Sequence, residues 1–282
     1  MLGIALALAA SVSWGISDFM GGLQTRRFSA LSVLLVSQPV GLVLAFGVAL
    51  AIGSGPLAAG DFLLASAAGG AVVLALGAFY TAMALGSISV VSMIAALGVL
   101  VPVTVGIAQG EEPGGLQAVG AAVAIPAVVV VAREPDPEWR AASRNSIGLA
   151  ALAALGFGVF FLLIDEVAES DPAWTIAAAR AGGVTVLGVA ALHARPKLPR
   201  ARGRVLAALA AIGLLDVSAN SLYAVATTHG ILPLVAVGAS LYSVVTVLLA
   251  RFVLGEQLAA SQRAGLGLAV VGVALIAAGG LS

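Results

Sequence analysis

Long apolar segments separated by short polar breaks follow one another along the whole chain. A helix needs roughly 20 mainly apolar residues to cross a hydrocarbon core of about 30 Å. Backbone within a bilayer must also satisfy its own hydrogen bonds, which favours helices over open strands. The pattern therefore predicts an all-α integral membrane protein with ten transmembrane helices, at residues 2–22, 30–52, 62–83, 87–109, 115–132, 147–165, 173–192, 205–227, 232–254 and 263–280.

Composition agrees with this pattern and narrows the chemistry. Of the 282 residues, 61% are hydrophobic and 9% are charged, whereas about a quarter of the residues in an ordinary soluble domain are charged. The chain has no cysteine, and its two histidines, His193 and His229, lie at the ends of predicted helices. Disulfides, thiol nucleophiles and cysteine-based metal sites are therefore excluded, and no metal or cofactor is expected.

The two halves of the chain resemble each other. The longest polar break, Arg133 to Ser146, falls near the midpoint, and an offset of 145 residues aligns matching residues on either side of it. We therefore predict a first five-helix repeat at 1–132, a cytoplasmic linker at 133–146 and a second five-helix repeat at 147–282. The matching pairs are Gly3 with Gly148, Gly110 with Gly255, Glu111 with Glu256, Gln117 with Gln262 and Gly120 with Gly265 and, where the offset slips by two or three, Tyr80 with Tyr223 and Gln38 with Arg180.

An odd number of helices in each repeat makes the second copy enter the membrane from the opposite side. Such inverted-topology repeats are typical of secondary transporters, whose substrate sites lie near the midplane between the repeats. The chain carries no GxxxxGK[ST] motif, so nothing in the sequence indicates that ATP drives a transport cycle.

Basic residues are concentrated in the loops after odd-numbered helices, and the loops after even-numbered helices contain none. Because cytoplasmic loops are enriched in Lys and Arg, the odd-numbered loops are predicted to be cytoplasmic and both termini to lie outside. The basic loop residues are Arg26, Arg27, Arg133, Arg140, Arg144, Arg195, Lys197, Arg200, Arg202, Arg204, Arg251 and Arg263.

Asp216 is the strongest candidate for a buried functional group. It lies eleven residues into the eighth predicted helix, and Asn220 and Tyr223 follow it at i+4 and i+7 on the same face. A charge at mid-bilayer costs about 2.5 to 3.5 kcal/mol on insertion scales, so ionisable residues there are candidates for binding substrate or a proton. A polar clamp between helices is the alternative.

Arg180 and Asp18 are the other two candidates among the charged residues. Arg180 lies deep in the seventh predicted helix, so it requires a carboxylate or an anionic substrate group as a partner. Asp216 is the first partner expected, and Asp165 is the second. Asp18 lies on a small, polar face of the first helix, about one turn from its end. It is predicted to be an interfacial carboxylate near the cytoplasmic mouth or a relay along a substrate or proton pathway.

A further polar patch lies in the ninth predicted helix. Tyr242, Ser243 and Thr246 follow at i, i+1 and i+4, so their hydroxyls are candidates for hydrogen-bonding a solute or a neighbouring helix. Prolines within the second, fourth and fifth predicted helices are expected to kink them, which membrane helices tolerate when neighbouring groups satisfy the freed carbonyls.

A Gly-Glu pair recurs near the end of each half, at Gly110-Glu111 and in LGEQL from Leu254 to Leu258. The segment LYSVVTVLLARFVLGEQLAASQRAGLGLAVVGVALI from Leu241 contains the second pair, and WGISDFMGG from Trp14 opens the first half. With these motifs the chain resembles, over nearly its whole length, the EamA family of the drug/metabolite transporter superfamily.

The resemblance implies secondary transport of a small metabolite, amino acid, sugar or drug, frequently as export, through a central cavity lined by both repeats. It also implies that Arg180 occupies a position where arginine is common, and that Glu256 fixes a loop and does not touch substrate. Ser243 departs from the proline that many members carry there, so the resemblance leaves a kink in the ninth helix open.

We therefore expect a permease of the cytoplasmic membrane, monomeric or homodimeric, that exports a small-molecule substrate. Asp216 would alternate between a proton and the substrate. One alternative is a facilitator or uptake carrier for a sugar-like solute, bound by Asn220, Tyr223, Ser243 and Thr246; the other is a membrane scaffold or lipid-handling protein. The expected partners are the substrate and the lipid bilayer, with no nucleic acid, and no enzymatic activity is expected.

Overall fold

Twelve α-helices and one 3-10 turn form the described part of the chain. The structure is a computed structural model, and it describes residues 2–53, 55–108, 115–132, 140–198, 202–230, 232–256 and 259–279. Within these ranges its regular secondary structure is entirely helical. The helices are α1 (Leu2–Thr25), α2 (Ala30–Ile52), α3 (Ala59–Leu85), α4 (Ile88–Ala95), α5 (Leu100–Ala108), α6 (Gly115–Ala132), α7 (Arg140–Ala168), α8 (Pro172–Ala194), α9 (Arg204–Thr227), α10 (Leu232–Ser240), α11 (Tyr242–Leu254) and α12 (Ala260–Gly279).

Six of these helices are long and apolar enough to cross a membrane, judged by length and composition. They are α1, α2, α3, α8, α9 and the Arg144–Ala168 part of α7. Shorter apolar helical stretches run over Ile88–Pro102, Gly238–Leu254 and Arg263–Gly272. The all-helical class predicted from the sequence is confirmed, and the number of ten spans stays a prediction.

Two of the predicted spans are not continuous helices. The predicted helix over 87–109 is divided into α4 and α5 by a 3-10 turn at Ala96–Val99, and the predicted helix over 232–254 is divided at Leu241 into α10 and α11. Pro102 explains the first interruption, because its ring nitrogen cannot donate the helical hydrogen bond to the carbonyl of Gly98. The second occurs without a proline nearby, and the two interruptions face each other across a cavity lined by both.

Helix α7 begins earlier than the sequence suggested. The polar segment 133–146 was expected to be a linker, but residues 140–146 are helical. Arginine and alanine are good helix formers, and they dominate the start of α7, so the helix continues beyond its apolar part. The Ser146 hydroxyl donates to the carbonyl of Ala82 at 2.9 Å, which fixes this part of α7 to α3. Residues 133–139 of the predicted linker lie outside the described ranges.

Helices of the first half pack against helices of the second half in a pattern that repeats when the two halves are exchanged. In this exchange α1 corresponds to α7, α2 to α8, α3 to α9 and α6 to α12, while α4 and α5 correspond to α10 and α11. The contact between α3 and α7 then corresponds to the contact between α1 and α9. The contact between α3 and α8 corresponds to the contact between α2 and α9. The interruptions correspond too, since Leu241 lies 145 residues after Ala96.

Two glycines allow corresponding helix pairs to approach very closely. A Cβ atom on Gly69 of α3 would lie 1.6 Å from the carbonyl oxygen of Ala179 in α8, and one on Gly213 of α9 would lie 2.0 Å from that of Ser37 in α2. Small residues at membrane helix interfaces permit such backbone contact. Ala179 and Ser37 directly precede Arg180 and Gln38, so both crossings bring a polar side chain into the bundle.

The two ends of the bundle differ in charge. At one end, Arg26 after α1 pairs with Glu256 after α11, and the Ser32 hydroxyl at the start of α2 donates to the carbonyl of Lys197 after α8. At the other end, the Ser170 hydroxyl donates to Asp61 at the start of α3. The basic loops identified in the sequence thus meet at one end, and the assignment of that end to the cytoplasm stays a prediction.

We predict that Gly213→Ala lowers the thermal stability of the purified protein by about 1–3 kcal/mol, the usual cost of overpacking a tight contact. The added methyl group collides with the backbone of Ser37 and forces α2 away from α9. Gly47→Ala in α2 is the matched control, because a Cβ there has no atom within 4 Å. Equal melting temperatures for both variants in detergent would show that the close crossing is not needed for stability.

Candidate functional site

A network of three buried side chains joins α2, α8 and α9. Nη1 of Arg180 lies 2.7 Å from Oδ2 of Asp216 and also donates to Oε1 of Gln38. Nε2 of Gln38 donates to the same Asp216 oxygen at 3.0 Å. All three residues are at most 4% exposed. Asp216, the first partner predicted for Arg180 from the sequence, is therefore its partner in the structure.

Gln38 was not among the residues chosen from the sequence, although a signal for it was present. It aligns with Arg180 when the two halves are compared, and the structure places these corresponding residues in direct contact. A neutral amide beside a charged pair supplies both a donor and an acceptor, so it completes the hydrogen bonding without adding charge. Nη2 of Arg180 has no hydrogen-bond partner within the described residues.

Four of the predicted site residues line one narrow cavity between α1, α3, α7, α9 and α11. They are Asp18, Asp216, Asn220 and Tyr242, and in this conformation the cavity has a volume of about 30 Å³, room for one or two water molecules. Both halves of the chain contribute to its walls. The other lining residues are apolar or aromatic: Trp14, Val72, Leu76, Phe157, Phe160 and Phe161.

Asp18 is more buried than the interfacial position predicted for it. The sequence placed it near the end of the first helix, apart from Asp216 and close to basic loop residues. In the structure it is 5% exposed, and it shares the cavity with Asp216. Helix α1 continues to Thr25, so Asp18 lies deeper in the bundle than its distance from the predicted helix end suggested.

Five aromatic rings form a continuous wall along the cavity. The centroids of Phe157 and Tyr242 are 6.4 Å apart, those of Tyr242 and Trp14 6.5 Å, and those of Trp14 and Phe161 5.9 Å. Phe160 extends the wall beyond Phe161 at 5.9 Å. Trp14 could have been found from the sequence, because it precedes Asp18 by four residues on the same face of α1.

Hydrogen bonds fix the orientation of this wall. Nε1 of Trp14 donates to Oδ1 of Asn220 at 3.0 Å, which links α1 to α9. Tyr223 packs behind the wall, with its ring centroid 4.9 Å from that of Phe161. Its hydroxyl is buried and has no hydrogen-bond partner among the described residues. Asn220 therefore faces the cavity, whereas Tyr223 supports the rings that line it.

Ser243 and Thr246 of α11 do not line this cavity. The Ser243 hydroxyl donates to the carbonyl of Ser240 at 3.2 Å, and Ser243 lines the separate cavity between the interrupted helices. The Thr246 hydroxyl lies 3.2 Å from the carbonyl of Gly15 and 3.0 Å from that of Tyr242. Of the polar patch predicted in this helix, only Tyr242 faces the cavity that contains the carboxylates.

The cavity walls come from corresponding positions of the two halves. Eight of the lining residues form pairs separated by 143 or 144 residues, one member in each half. In three pairs, a polar or charged residue in one half corresponds to an apolar or aromatic residue in the other half. Corresponding positions of the two halves therefore carry different chemistry. The pairs are Trp14 with Phe157, Asp18 with Phe161, Val72 with Asp216 and Leu76 with Asn220.

Glu256 lies at the basic end of the bundle and holds three elements together. Its carboxylate accepts from the backbone N–H groups of Ile88 and Ser89 at the start of α4 and from the hydroxyls of Ser87 and Ser89. It also pairs with Arg26 at 3.1 Å. A carboxylate at a helix N-terminus is favoured by the helix dipole. Glu256 thus fixes the loop after α11, as the family resemblance implied.

The helices and the buried charged groups define the class of protein: a multi-pass helical membrane protein with an interior cavity that two carboxylates line. Residues 144–278, just under half of the chain, match the EamA-like transporter family. The predicted resemblance is thereby confirmed, and the protein is a membrane transporter of the drug/metabolite type.

One solved crystal structure of another protein is similar to this chain over nearly its full length. The TM-score is 0.72 and the sequence identity 14%, covering 97% of this chain and 96% of that one. At this identity the similarity shows a shared fold only. A comparison with curated proteins finds no sequence match.

We predict that Arg180→Gln and Asp216→Asn each reduce stability by about 3–5 kcal/mol, because each leaves the other charge buried without its partner. The double variant should recover most of the loss, since glutamine already occupies the corresponding position of the first half at Gln38. Membrane abundance and melting temperature of the three variants measure this. Losses that simply add in the double variant would show that the two charges do not depend on each other.

We predict that Glu256→Ala lowers stability by about 1–3 kcal/mol, because several donors at the start of α4 lose their acceptor. Glu256→Gln, which keeps an acceptor oxygen, should lose less. Glu169→Ala, an exposed glutamate at the end of α7, is the control in the same melting experiment. If the two alanine variants melt alike, the contact with α4 contributes nothing measurable.

Proposed function

We propose that the protein is a secondary active transporter that exports a small organic solute across the cytoplasmic membrane in exchange for protons. It works by alternating access, with the cavity between α1, α3, α7, α9 and α11 as the binding site. The observation that carries the proposal is the pair of buried carboxylates, Asp18 and Asp216, that face one cavity built by both halves. Ionisable groups buried in a membrane protein mark ion or substrate pathways.

The two halves are proposed to be inverted five-helix repeats, at residues 1–132 and 147–282. The exchange pattern of helix contacts supports this, as do the interruptions at corresponding positions, Ala96–Val99 and Leu241. In transporters with inverted repeats, interrupted helices and a site at the repeat interface commonly occur together. Rocking of one half against the other would then open the cavity to each side in turn.

Asp18 is the proposed proton-coupling group, in place of Asp216, which the sequence favoured. The charge of Asp216 is already balanced by Arg180 and hydrogen-bonded by Gln38. Within the described part of the chain, neither a cation nor a hydrogen-bond donor contacts the Asp18 carboxylate. An uncompensated buried charge is costly, and binding a proton removes it. Asp18 is therefore suited to gain and lose a proton as the cavity alternates between the two sides.

The hydroxyl contacts favour this proposal over a carrier for a sugar-like solute. Such a carrier needs free hydrogen-bonding groups in the cavity. The Ser243 and Thr246 hydroxyls are bound to backbone carbonyls outside it, and Oδ1 of Asn220 is bound to Trp14. Tyr223 lies behind the rings, so few of the groups named for that alternative face the cavity.

We predict that cells overproducing the wild-type protein accumulate at least one small metabolite in the medium, severalfold above cells producing Asp18→Asn. Loss of the titratable group removes coupling to the proton gradient. Mass spectrometry of medium and cell extracts measures the difference, at matched protein abundance. Asp61→Asn, which neutralises a carboxylate outside the cavity, is the control and should behave as the wild type.

An uncoupler that collapses the proton gradient should remove the difference between the wild type and Asp18→Asn. If the two produce the same external metabolites at equal abundance, Asp18 does not couple transport to protons. A wild-type accumulation that persists with the uncoupler would instead favour a facilitator.

A further inference from the structure

We propose that the cavity binds a monovalent organic cation, an ammonium group carried on an apolar or aromatic body. The ammonium pairs with Asp18, and the body packs against the aromatic wall. This inference rests on the proposed function, because it names the substrate class of the same cavity.

The charges around the cavity leave one carboxylate unmatched. Arg180 balances Asp216 from outside the cavity, and no basic side chain lines the cavity within the described residues. The titratable groups that line the cavity with Asp18 within the described residues are Asp216 and Tyr242, and neither is a cation. With both carboxylates ionised, the cavity therefore carries one net negative charge that a monovalent cation balances.

The aromatic wall suits a cation with an apolar surface. An ammonium group within about 6 Å of a ring centroid is attracted to the face of the ring, most strongly by tryptophan. Trp14, Phe161 and Tyr242 line the same cavity as the carboxylates of Asp18 and Asp216. Val72 and Leu76 on the facing helix α3 add apolar surface, so the rest of the solute is expected to be hydrocarbon or an aromatic ring.

Tyr242 supplies a second independent indication of a ligand. Its side chain is 4% exposed, it lines the cavity, and its hydroxyl has no hydrogen-bond partner within the described residues. Buried polar atoms are normally hydrogen-bonded. The Tyr242 hydroxyl and the Asp18 carboxylate both line the cavity without a hydrogen-bond partner among the described residues. A bound ammonium group would supply a partner to both.

An anionic or a neutral polar solute fits these groups less well. An anion would add to the unmatched negative charge of Asp18. A neutral polar solute would leave that charge uncompensated, and the indole N–H of Trp14 is already committed to Asn220. Protonation of Asp18 cancels the attraction for a cation, so uptake of a proton on one side would release the cation there.

The test uses three small aromatic probes of different charge with the purified full-length protein in detergent. 2-Phenylethylammonium is cationic at neutral and acidic pH and keeps N–H donors, 2-phenylethanol is neutral and phenylacetate is anionic. We expect only the cation to bind, seen as a rise in melting temperature with concentration and as heat in a calorimetric titration. Its affinity should fall as the pH is lowered, because the probe keeps its charge while Asp18 gains a proton.

Two variants locate the binding site. Asp18→Asn should bind the cation at least tenfold more weakly, and Trp14→Leu should weaken binding severalfold while keeping Asp18. Asp61→Asn should bind as the wild type. If Asp18→Asn does not fold, the Trp14 variant and the pH dependence still test the site.

The outcomes separate this inference from the proposed function. If the protein still exports a metabolite in an Asp18-dependent way but does not bind the cation, the substrate class alone is overturned. Preferential binding of the neutral or anionic probe has the same meaning. Cation binding that requires Asp18 and Trp14 supports the inference, even if no proton-driven flux is found. Absence of that flux would count against the proposed function only.

Discussion

The buried pair of Arg180 and Asp216 is the constraint on which the arrangement of the helices depends. Neither charge is tolerable alone in an apolar interior, because desolvation of one unpaired ion costs several kcal/mol. Helices α8 and α9 must therefore stay close enough for a 2.7 Å contact, and α2 must supply Gln38 to the same oxygen. The glycine crossings at Gly69 and Gly213 make this approach geometrically possible. Once the pair is formed, the second carboxylate of the cavity is left as the only unbalanced charge among its described lining residues.

Much of the fold could be predicted from the sequence because hydrophobic length is a strong physical signal. Apolar segments of about 20 residues have few alternatives to a helix, and the partner of Arg180 followed from the cost of an unpaired charge. The depth of Asp18 could not be predicted, since it depends on how far α1 extends beyond its apolar part. The interruption at Leu241 was equally hard to predict, because no proline marks that position.

The candidate site was predicted unevenly for a related reason. Sequence periodicity shows which residues share a face of one helix, but it does not show which face a neighbouring helix covers. Asp216, Asn220 and Tyr223 share a face as expected, yet Tyr223 is covered by rings of α7. The aromatic lining from α7 carries no charge or motif, so only the three-dimensional packing identifies it. At three pairs of corresponding positions, one half carries a polar or charged residue and the other an apolar one, and this asymmetry gives the cavity its chemistry.

The two helix interruptions face each other across one cavity, with Ala96 and Leu97 on one side and Ser240 and Leu241 on the other. An interrupted helix bends at lower cost than a continuous one, because fewer backbone hydrogen bonds must be broken there. Two such hinges in contact cannot bend independently, since displacement of one pushes on the other. In a transporter this coupling has a protective consequence. Under the proposed alternating-access cycle, this coupling would keep the two ends of the pathway from opening together and would prevent a leak of protons across the membrane.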